Sequence, residues 1–311
     1  MATLHIYALG RLRVLYDQVP LQFSVKKTQE LLCFLLLHAG EVLERELIAE
    51  QLWPMRPPGS ARRCLSTALW RLRQSLECPS SSKQPYLLAD RSTLAFDTDA
   101  SYWFDVEVFE RQATLGLAGS LPCTEAHHQA LEGALELYGG DFLEGCYDDW
   151  CLAERERLQL LLLWVLRRLQ HHYRLCGDVE VAISYCERLL ALDSLQEDIH
   201  RELMQCYVAA GQRPLAVEQF QRYREMLRRE LHIEPMPETW QLYRQIRGGQ
   251  KSVLSLAKRE ARFASLEVAL SQFRGALDVL ESAWQALRAA VAEHVEASEF
   301  AEGGTAHPEQ G

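Results

Sequence analysis

Basic and polar residues between positions 56 and 91 have the types and spacing that nucleic-acid binding requires. This segment holds seven Lys or Arg residues and only two acidic residues, although the whole chain carries a net charge of −10. At 100° per residue, a helix here places Arg63, Thr67, Trp70 and Gln74 opposite an apolar stripe. Arginine and glutamine can donate to base edges, and threonine can contact a thymine methyl group or a phosphate. The pattern favours a helix that reads the major groove, with an ordinary solvated helix surface as the alternative.

The candidate DNA-binding set includes this face, both of its flanks and one residue of a downstream turn. Its members are Arg62, Arg63, Ser66, Thr67, Trp70, Arg71, Arg73, Gln74 and Arg91. The stripe expected to be buried consists of Ala61, Leu65, Ala68, Leu69, Leu72 and Leu76. Trp70 is unusual because it combines an exposed position with four neighbouring arginines. It can therefore contact the arginines or another domain instead of DNA.

The elements around this helix predict a small α+β domain over residues 1–100. Strands are predicted at residues 4–9, 12–15 and 21–23. Helices are predicted at 27–38 and 44–53, followed by a loop at 57–59 and a third helix that Ser60 caps and that runs to about residue 77. A hairpin at 85–89 and 93–97 turns at residues 90–92.

Residues 4–97 resemble the OmpR-type winged helix-turn-helix domain. The likeness rests on the leading strands, on the second-helix string ELIAEQLW at 46–53 and on the third-helix string ALWRLR at 68–73. That string departs from the family pattern at Trp70, where a small residue is usual. The resemblance implies that residues early in the third helix enter the major groove, and that Arg91 lies at the tip of a short wing that contacts a minor groove or phosphate.

A 34-residue repeat follows, within a helical region predicted to begin at residue 104. Identical residues recur in the pairs Leu169 and Leu203, Tyr173 and Tyr207, Gly177 and Gly211, Ala182 and Ala216, and Arg188 and Arg222. This is the spacing of tetratricopeptide units, which bury their apolar faces by stacking. The glycines are expected to end the first helix of each unit, and the alanines to allow close helix crossings.

Residues 101–247 resemble the bacterial transcriptional activator domain that follows a winged helix in SARP-type antibiotic regulatory proteins. The matching strings are FDVEVF at 104–109, LYGGDFLEG at 137–145, Trp150 with ERERL at 154–158, and LRRELHIEP at 227–235. The resemblance covers about residues 4–247. It implies an activator that binds double-stranded DNA at promoter repeats and recruits RNA polymerase.

Residues 248–297 predict a long helix with a coiled-coil seam. Apolar residues spaced by four and three form this seam at Leu266, Leu270, Phe273, Leu277, Leu280, Trp284 and Leu287. The seam predicts a homo-oligomer, and folding of the helix back onto the repeat domain is the alternative. Residues 298–311 are predicted to be a disordered tail.

Several classes of function have no support in the sequence. No nucleotide-binding, hydrolase or metalloprotease motif is present, so neither an enzyme nor a cofactor is predicted. The pairs His127–His128 and His171–His172 are expected on helix surfaces rather than at a metal, because adjacent helical residues point about 100° apart. No apolar run reaches about 20 residues, and the first residues lack a signal-peptide pattern, which predicts a cytoplasmic chain without membrane contact.

The predicted fold is therefore mainly α, with an N-terminal winged helix-turn-helix, an all-α tetratricopeptide-like domain and a long C-terminal helix. The predicted function is sequence-specific DNA binding by a transcriptional regulator, more specifically an activator. The alternative is a tetratricopeptide-type scaffold that binds proteins without specific DNA readout.

Overall fold

The computed structural model describes residues 3–77, 85–119 and 121–248. Within these ranges the strands are β1 (Leu4–Tyr7), β2 (Arg13–Tyr16), β3 (Val19–Pro20), β4 (Leu43–Glu44), β5 (Leu87–Ala89), β6 (Thr93–Phe96) and β7 (Tyr102–Phe104). The helices are α1 (Lys26–Leu37), α2 (Arg45–Leu52), α3 (Pro58–Glu77), α4 (Asp105–Ala118), α5 (Glu125–Leu137), α6 (Asp149–Cys176), α7 (Val179–Leu192), α8 (Glu197–Ala209), α9 (Arg213–Glu230) and α10 (Pro237–Gly248). The prediction of a mainly α chain with a small N-terminal sheet region is confirmed.

The first sheet has four strands in the order β3-β2-β1-β7. Strands β1 and β2 pair antiparallel, with Ile6 opposite Val14, whereas β7 pairs parallel to β1, with Ile6 also opposite Phe104. Alternating residues Leu4 and Ile6 are fully buried, as expected for a strand with one face on the core. Strand β7 was not predicted. It lies in the segment predicted as the second domain, yet it completes the sheet of the first.

The second sheet, in the order β4-β6-β5, holds the hairpin behind the helix-turn-helix. Helices α1, α2 and α3 bury Leu32, Ile48, Leu52, Leu65 and Leu72 completely, and these side chains belong to one continuous core. The short strand β4, also not predicted, pairs with β6 directly before α2 begins. The start of α2 is therefore fixed to the hairpin by backbone pairing.

Two local predictions were wrong. The third strand is Val19–Pro20 and not residues 21–23, because Asp17 and Gln18 adopt positive φ and turn the chain earlier. Proline suits this position because β3 is at the sheet edge. Helix α3 begins at Pro58, so Ser60 is a helical residue and not the N-cap. Proline fits the first turn because its φ is already helical and its missing N–H has no intrahelical partner there.

The winged helix and the helical domain meet at a hydrogen-bonded junction within one unit of the fold, Met1–Arg244. Asp105, at the start of α4, accepts hydrogen bonds from the backbone N–H groups of Ala8 and Leu9, at 2.8–2.9 Å. The loop after α5 pairs with the same turn: Leu143 N–H donates to the Ala8 carbonyl, and Gly10 N–H donates to the Asp141 backbone carbonyl. The end of β1 is therefore tied to two separate parts of the helical domain.

That loop approaches the turn closely enough to need glycine. A Cβ on Gly139 would lie 3.2 Å from the Leu9 carbonyl oxygen, and one on Gly140 would lie 3.3 Å from Gly10 Cα. Arg155 of α6 holds the loop from the other side, because its guanidinium donates to three loop carbonyls, those of Phe142, Leu143 and Cys146. The string LYGGDFLEG therefore forms a domain contact.

The helices α6 to α9 form the two predicted repeat units. Gly177 ends α6 at φ 88°, and Gly211 follows α8 at φ 76°, so both glycines adopt the left-handed conformation that terminates helices. Ala182 and Ala216 are completely buried. These four predictions are confirmed.

The seam at Leu266, Leu270, Phe273, Leu277, Leu280, Trp284 and Leu287, the helix predicted to contain it and the predicted tail at 298–311 lie outside the described residues. Within the described part of the chain, no helix is both long enough and apolar enough to cross a membrane.

Candidate nucleic-acid interface

Helix α3 separates its buried and exposed residues as its periodicity predicted. The predicted stripe is buried at every position, namely Ala61, Leu65, Ala68, Leu69, Leu72 and Leu76. Six candidate residues are exposed, and they are Arg62, Arg63, Ser66, Thr67, Trp70 and Gln74. Arg71 and Arg73 are half-buried on the flanks. The helix therefore presents a continuous polar and basic face.

The two hydroxyl groups of this face are already bonded to the helix backbone. Ser66 Oγ donates to the Arg62 carbonyl at 2.9 Å, and Thr67 Oγ1 donates to the Arg63 carbonyl at 3.0 Å. Both hydroxyls retain lone pairs, so each can still accept a hydrogen bond. Thr67 also keeps a methyl group, which is the group that suits a thymine methyl.

The arginines near the start of the face differ in their partners. Arg62 forms an ion pair with Glu46 of α2, and both side chains are more than half exposed. An exposed pair of this kind contributes only about 0–1 kcal/mol, so Arg62 can exchange it for a phosphate at small cost. Arg63 has no ion pair among the described residues, and its guanidinium is available to a base.

Arg45, which the sequence reasoning missed, connects α2, α3 and the wing. Its Nη2 donates to Ser66 Oγ of α3 and its Nη1 donates to the Asp90 carbonyl at the wing tip, both at 3.2 Å. Its backbone N–H also donates to the Ser92 carbonyl at 2.8 Å. Ser66 thus holds Arg45 in place. Nothing in the sequence periodicity could have signalled Arg45, because its partners lie 21 and 45 residues away.

The wing turn is shaped by the carboxylate of Asp90. Oδ1 of Asp90 accepts hydrogen bonds from the backbone N–H groups of Thr93 and Ser92, at 2.7 and 2.8 Å. These bonds lower the pKa of Asp90 to about 2, so the carboxylate stays ionised to a lower pH than an ordinary aspartate. Arg91 is exposed at the tip between these residues.

Trp70 is 62% exposed, in agreement with its predicted position on the outer face. Together with Gln74 and the flanking Arg71 and Arg73, it lies in the C-terminal half of α3, whereas Arg63 and Thr67 lie in the N-terminal half. The nine candidate residues therefore all lie on α3 or on the wing, and Arg45 connects these two elements through its hydrogen bonds.

Two clusters of side chains outside α3 contain residue types that can bind metal ions. In both clusters these side chains contact other groups of the protein. The prediction that His128 and His172 lie on helix surfaces is wrong, because both are half-buried. The centroids of their rings lie 4.8 Å apart. Nε2 of His128 bonds to Tyr173 Oη, and Nδ1 of His172 accepts from the Cys123 N–H.

In the second cluster, ligand atoms of Glu30, Cys146 and Asp148 lie within 4.8 Å of one another. The ammonium of Lys27 lies 2.8 Å from Glu30 and also pairs with Asp148. This cluster therefore already contains a cation, and it acts as an ion-pair network between α1 and the start of α6.

Two protein-family models match the chain in succession. Residues 22–92 match the model for the C-terminal domain of transcriptional regulatory proteins, and residues 104–247 match the bacterial transcriptional activator domain. The chain is 25% identical over 242 residues to the transcriptional regulatory protein MoaR1 of Mycobacterium tuberculosis, covering 76% of this chain and 77% of MoaR1. It is 26% identical over 243 residues to the regulatory protein DnrI of Streptomyces peucetius, covering 75% of this chain and 88% of DnrI.

A solved structure shares the fold. Mycobacterium tuberculosis EmbR, solved in complex with a low-affinity phosphopeptide, superposes with a TM-score of 0.68 over 88% of this chain and 72% of that chain. The identity is 20%, so this likeness supports the fold alone.

A basic recognition helix, a wing and a fused repeat domain define a DNA-binding transcriptional regulator. The two matched domains occur in the order found in SARP-type regulators, and the chain belongs to that family as a DNA-binding transcriptional activator.

Proposed function

We propose that the outer face of α3 enters the major groove and that Arg63 and Thr67 read bases. The observation that carries this proposal is the exposed guanidinium of Arg63, which has no ion pair within the described part of the chain and lies one turn before Thr67, on a helix whose opposite face is buried. Arginine is suited to bidentate donation to guanine, and threonine to contact with thymine. Gln74 and Trp70 extend the same face towards the C-terminal half.

The flanking residues have a different proposed role. Arg71 and Arg73 are half-buried at the edges of the face and contact phosphates, as does Arg62 once it leaves Glu46. Arg91 contacts the minor groove or a phosphate from the wing tip. Phosphate contacts position the protein but carry no sequence information.

The test is a comparison of Arg63→Ala with Arg71→Ala on a cognate duplex, obtained by selection from random DNA, and on a scrambled duplex. Arg63→Ala should cost about 1–3 kcal/mol on the cognate site and relax the preference at one base pair. Arg71→Ala should weaken binding to both duplexes alike and reduce the salt dependence of binding. An unchanged preference after Arg63→Ala would refute the assignment.

The remaining proposals concern partners. We propose that the chain acts in the cytoplasm without catalysis or cofactor, that it binds promoter repeats, and that its helical domain contacts RNA polymerase. We also propose a homo-oligomer through the seam that contains Leu277. Paired DNA sites suit two linked readers because linkage raises the effective concentration at the second site.

The oligomer is tested by measuring mass in solution. Leu277→Asp should reduce the association state and weaken binding to paired sites, while binding to a single site stays almost intact. An unchanged association state would exclude the seam as the interface.

A further inference from the structure

A cleft of about 770 Å³ lies between the winged helix and the helical domain. Phe34 and His38, at the end of α1, and Tyr102 of β7 line one side, and Glu110 of α4 and Trp150 of α6 line the other. The volume is within the range of pockets that hold a drug-sized molecule. No residue of the proposed DNA-binding face lines this cleft.

The charged side chains that line the cleft are mostly acidic. Three carboxylates, those of Glu107, Glu110 and Glu154, line it beside a single guanidinium, that of Arg157. Arg157 is shared between two of them, since it pairs with both Glu110 and Glu154. The third, Glu107, accepts a hydrogen bond from the neutral hydroxyl of Tyr102 at 3.0 Å. Negative charge in the lining is therefore only partly neutralised.

The apolar part of the lining is aromatic. Phe34 and Trp150 meet edge to face, with ring centroids 5.4 Å apart, and the ring centroid of His38 lies 4.9 Å from that of Phe34. Tyr102 packs edge to face on buried Phe96 at 5.0 Å, which fixes its ring at the cleft wall. Aromatic faces attract cations through the ring quadrupole, most strongly for tryptophan.

We propose that this cleft binds a small organic cation that carries an aromatic ring system. The carboxylates attract the positive charge, and the partly exposed rings of Tyr102 and Trp150 contact the apolar part. Organic anions are disfavoured by the same carboxylates. Because one wall belongs to the DNA-reading domain and the other to the activator domain, the ligand contacts both.

Imipramine, a tricyclic amine, and carbamazepine, an uncharged tricyclic of similar shape, form a matched pair of probes for calorimetry on the full chain without DNA. Imipramine should bind at one site, and carbamazepine should bind about tenfold more weakly, because loss of a favourable charge interaction worth about 1.4 kcal/mol corresponds to a tenfold loss of affinity. Equal binding of the two probes, or no saturable binding of imipramine, would overturn the proposal.

Two variants locate the site. Glu107→Gln keeps an oxygen for the Tyr102 hydroxyl but removes a charge, and it should weaken imipramine about five- to tenfold. Glu180→Gln, an exposed change on α7, is the control and should have no effect.

Thr98→Arg adds a positive charge at an exposed residue of the cleft and should weaken imipramine but not carbamazepine. This second variant preserves the test if Glu107→Gln lowers stability. If both Glu107→Gln and Thr98→Arg leave imipramine binding unchanged, the ligand binds elsewhere and the proposal is wrong.

Discussion

Replacement of Asp105 by alanine should be among the most destabilising single changes at the domain junction. The carboxylate is 2% exposed and accepts hydrogen bonds from the backbone N–H groups of Ala8, Leu9 and Val106, all at 2.8–2.9 Å. Burial raises the pKa of Asp105, and the hydrogen bonds from these three N–H groups oppose the rise. Alanine offers no acceptor to any of the three.

The magnitude follows from the donors left behind. A buried N–H group without an acceptor costs about 1–3 kcal/mol. Ala8 and Val106 are at most 1% exposed and Leu9 is 7% exposed, so water replaces the carboxylate poorly. Three such groups, with some relaxation of the turn, correspond to a loss of about 3–5 kcal/mol in the free energy of unfolding. Asp105→Asn keeps one oxygen but turns an amide N–H towards other N–H groups, and it should cost about 1–3 kcal/mol.

Urea denaturation of the full chain measures these losses, read from the midpoint at constant slope. Asp99→Ala, an exposed aspartate only six positions away, is the matched control and should stay within about 0.5 kcal/mol of the parent protein. The expected order of stability is parent, Asn variant, Ala variant. A loss below about 1 kcal/mol for Asp105→Ala, or one equal to that of Asp99→Ala, would refute the claim that Asp105 joins the two domains.

Three further outcomes are expected. Arg45→Lys keeps a positive charge but cannot donate to α3 and to the wing from one planar group, so DNA affinity should fall about three- to tenfold, as in Arg45→Ala. Full rescue of affinity by lysine in an anisotropy titration would show that only the charge matters. Ala216→Leu should lower the free energy of unfolding by about 1–3 kcal/mol through overpacking, and the exposed Ala209→Leu should not, by the same urea assay. Burial lowers the pKa of His200, and its Nδ1 accepts a hydrogen bond from Gln219, so the unfolded chain binds the proton more readily. The contribution of His200 to stability should therefore be complete above pH 6.5, and the free energy of unfolding should fall as the pH drops below that value. A flat stability profile between pH 7 and 5 would contradict this.

Local periodicity predicted most of what surrounds the DNA-binding face. The stripe that ends at Leu76 and the helix ends at Gly177 and Gly211 depend on residues within a few positions of one another. Their spacing is therefore enough to predict them. The same holds for Trp70, whose exposure follows from its angle to Leu65 on one helix. The proposed DNA contacts of these residues stay predictions.

Contacts between distant residues were the part that periodicity could not reveal. Strand β7 has only three residues, and its parallel pairing with β1 joins positions about 98 residues apart. The bond from Ala8 to Asp105 spans 97 residues. The string FDVEVF was therefore predicted only as the beginning of a helix, although Phe104 ends a strand and Asp105 forms the hydrogen bonds that join the two domains. Arg45 was not predicted for the same reason, since its hydrogen-bond partners are distant in the sequence.

These distant contacts join the winged helix to the helical domain. The turn after β1 is bonded to Asp105 and to the loop at 139–145, and Arg155 fixes that loop to α6. Since α3 packs on the same core as β1, the proposed seating of α3 in the major groove would also set the orientation of the helical domain relative to the DNA. The cleft lined by Phe34 and Trp150 adjoins this junction, so a small molecule bound there, as proposed, contacts both domains without touching the proposed DNA-binding face.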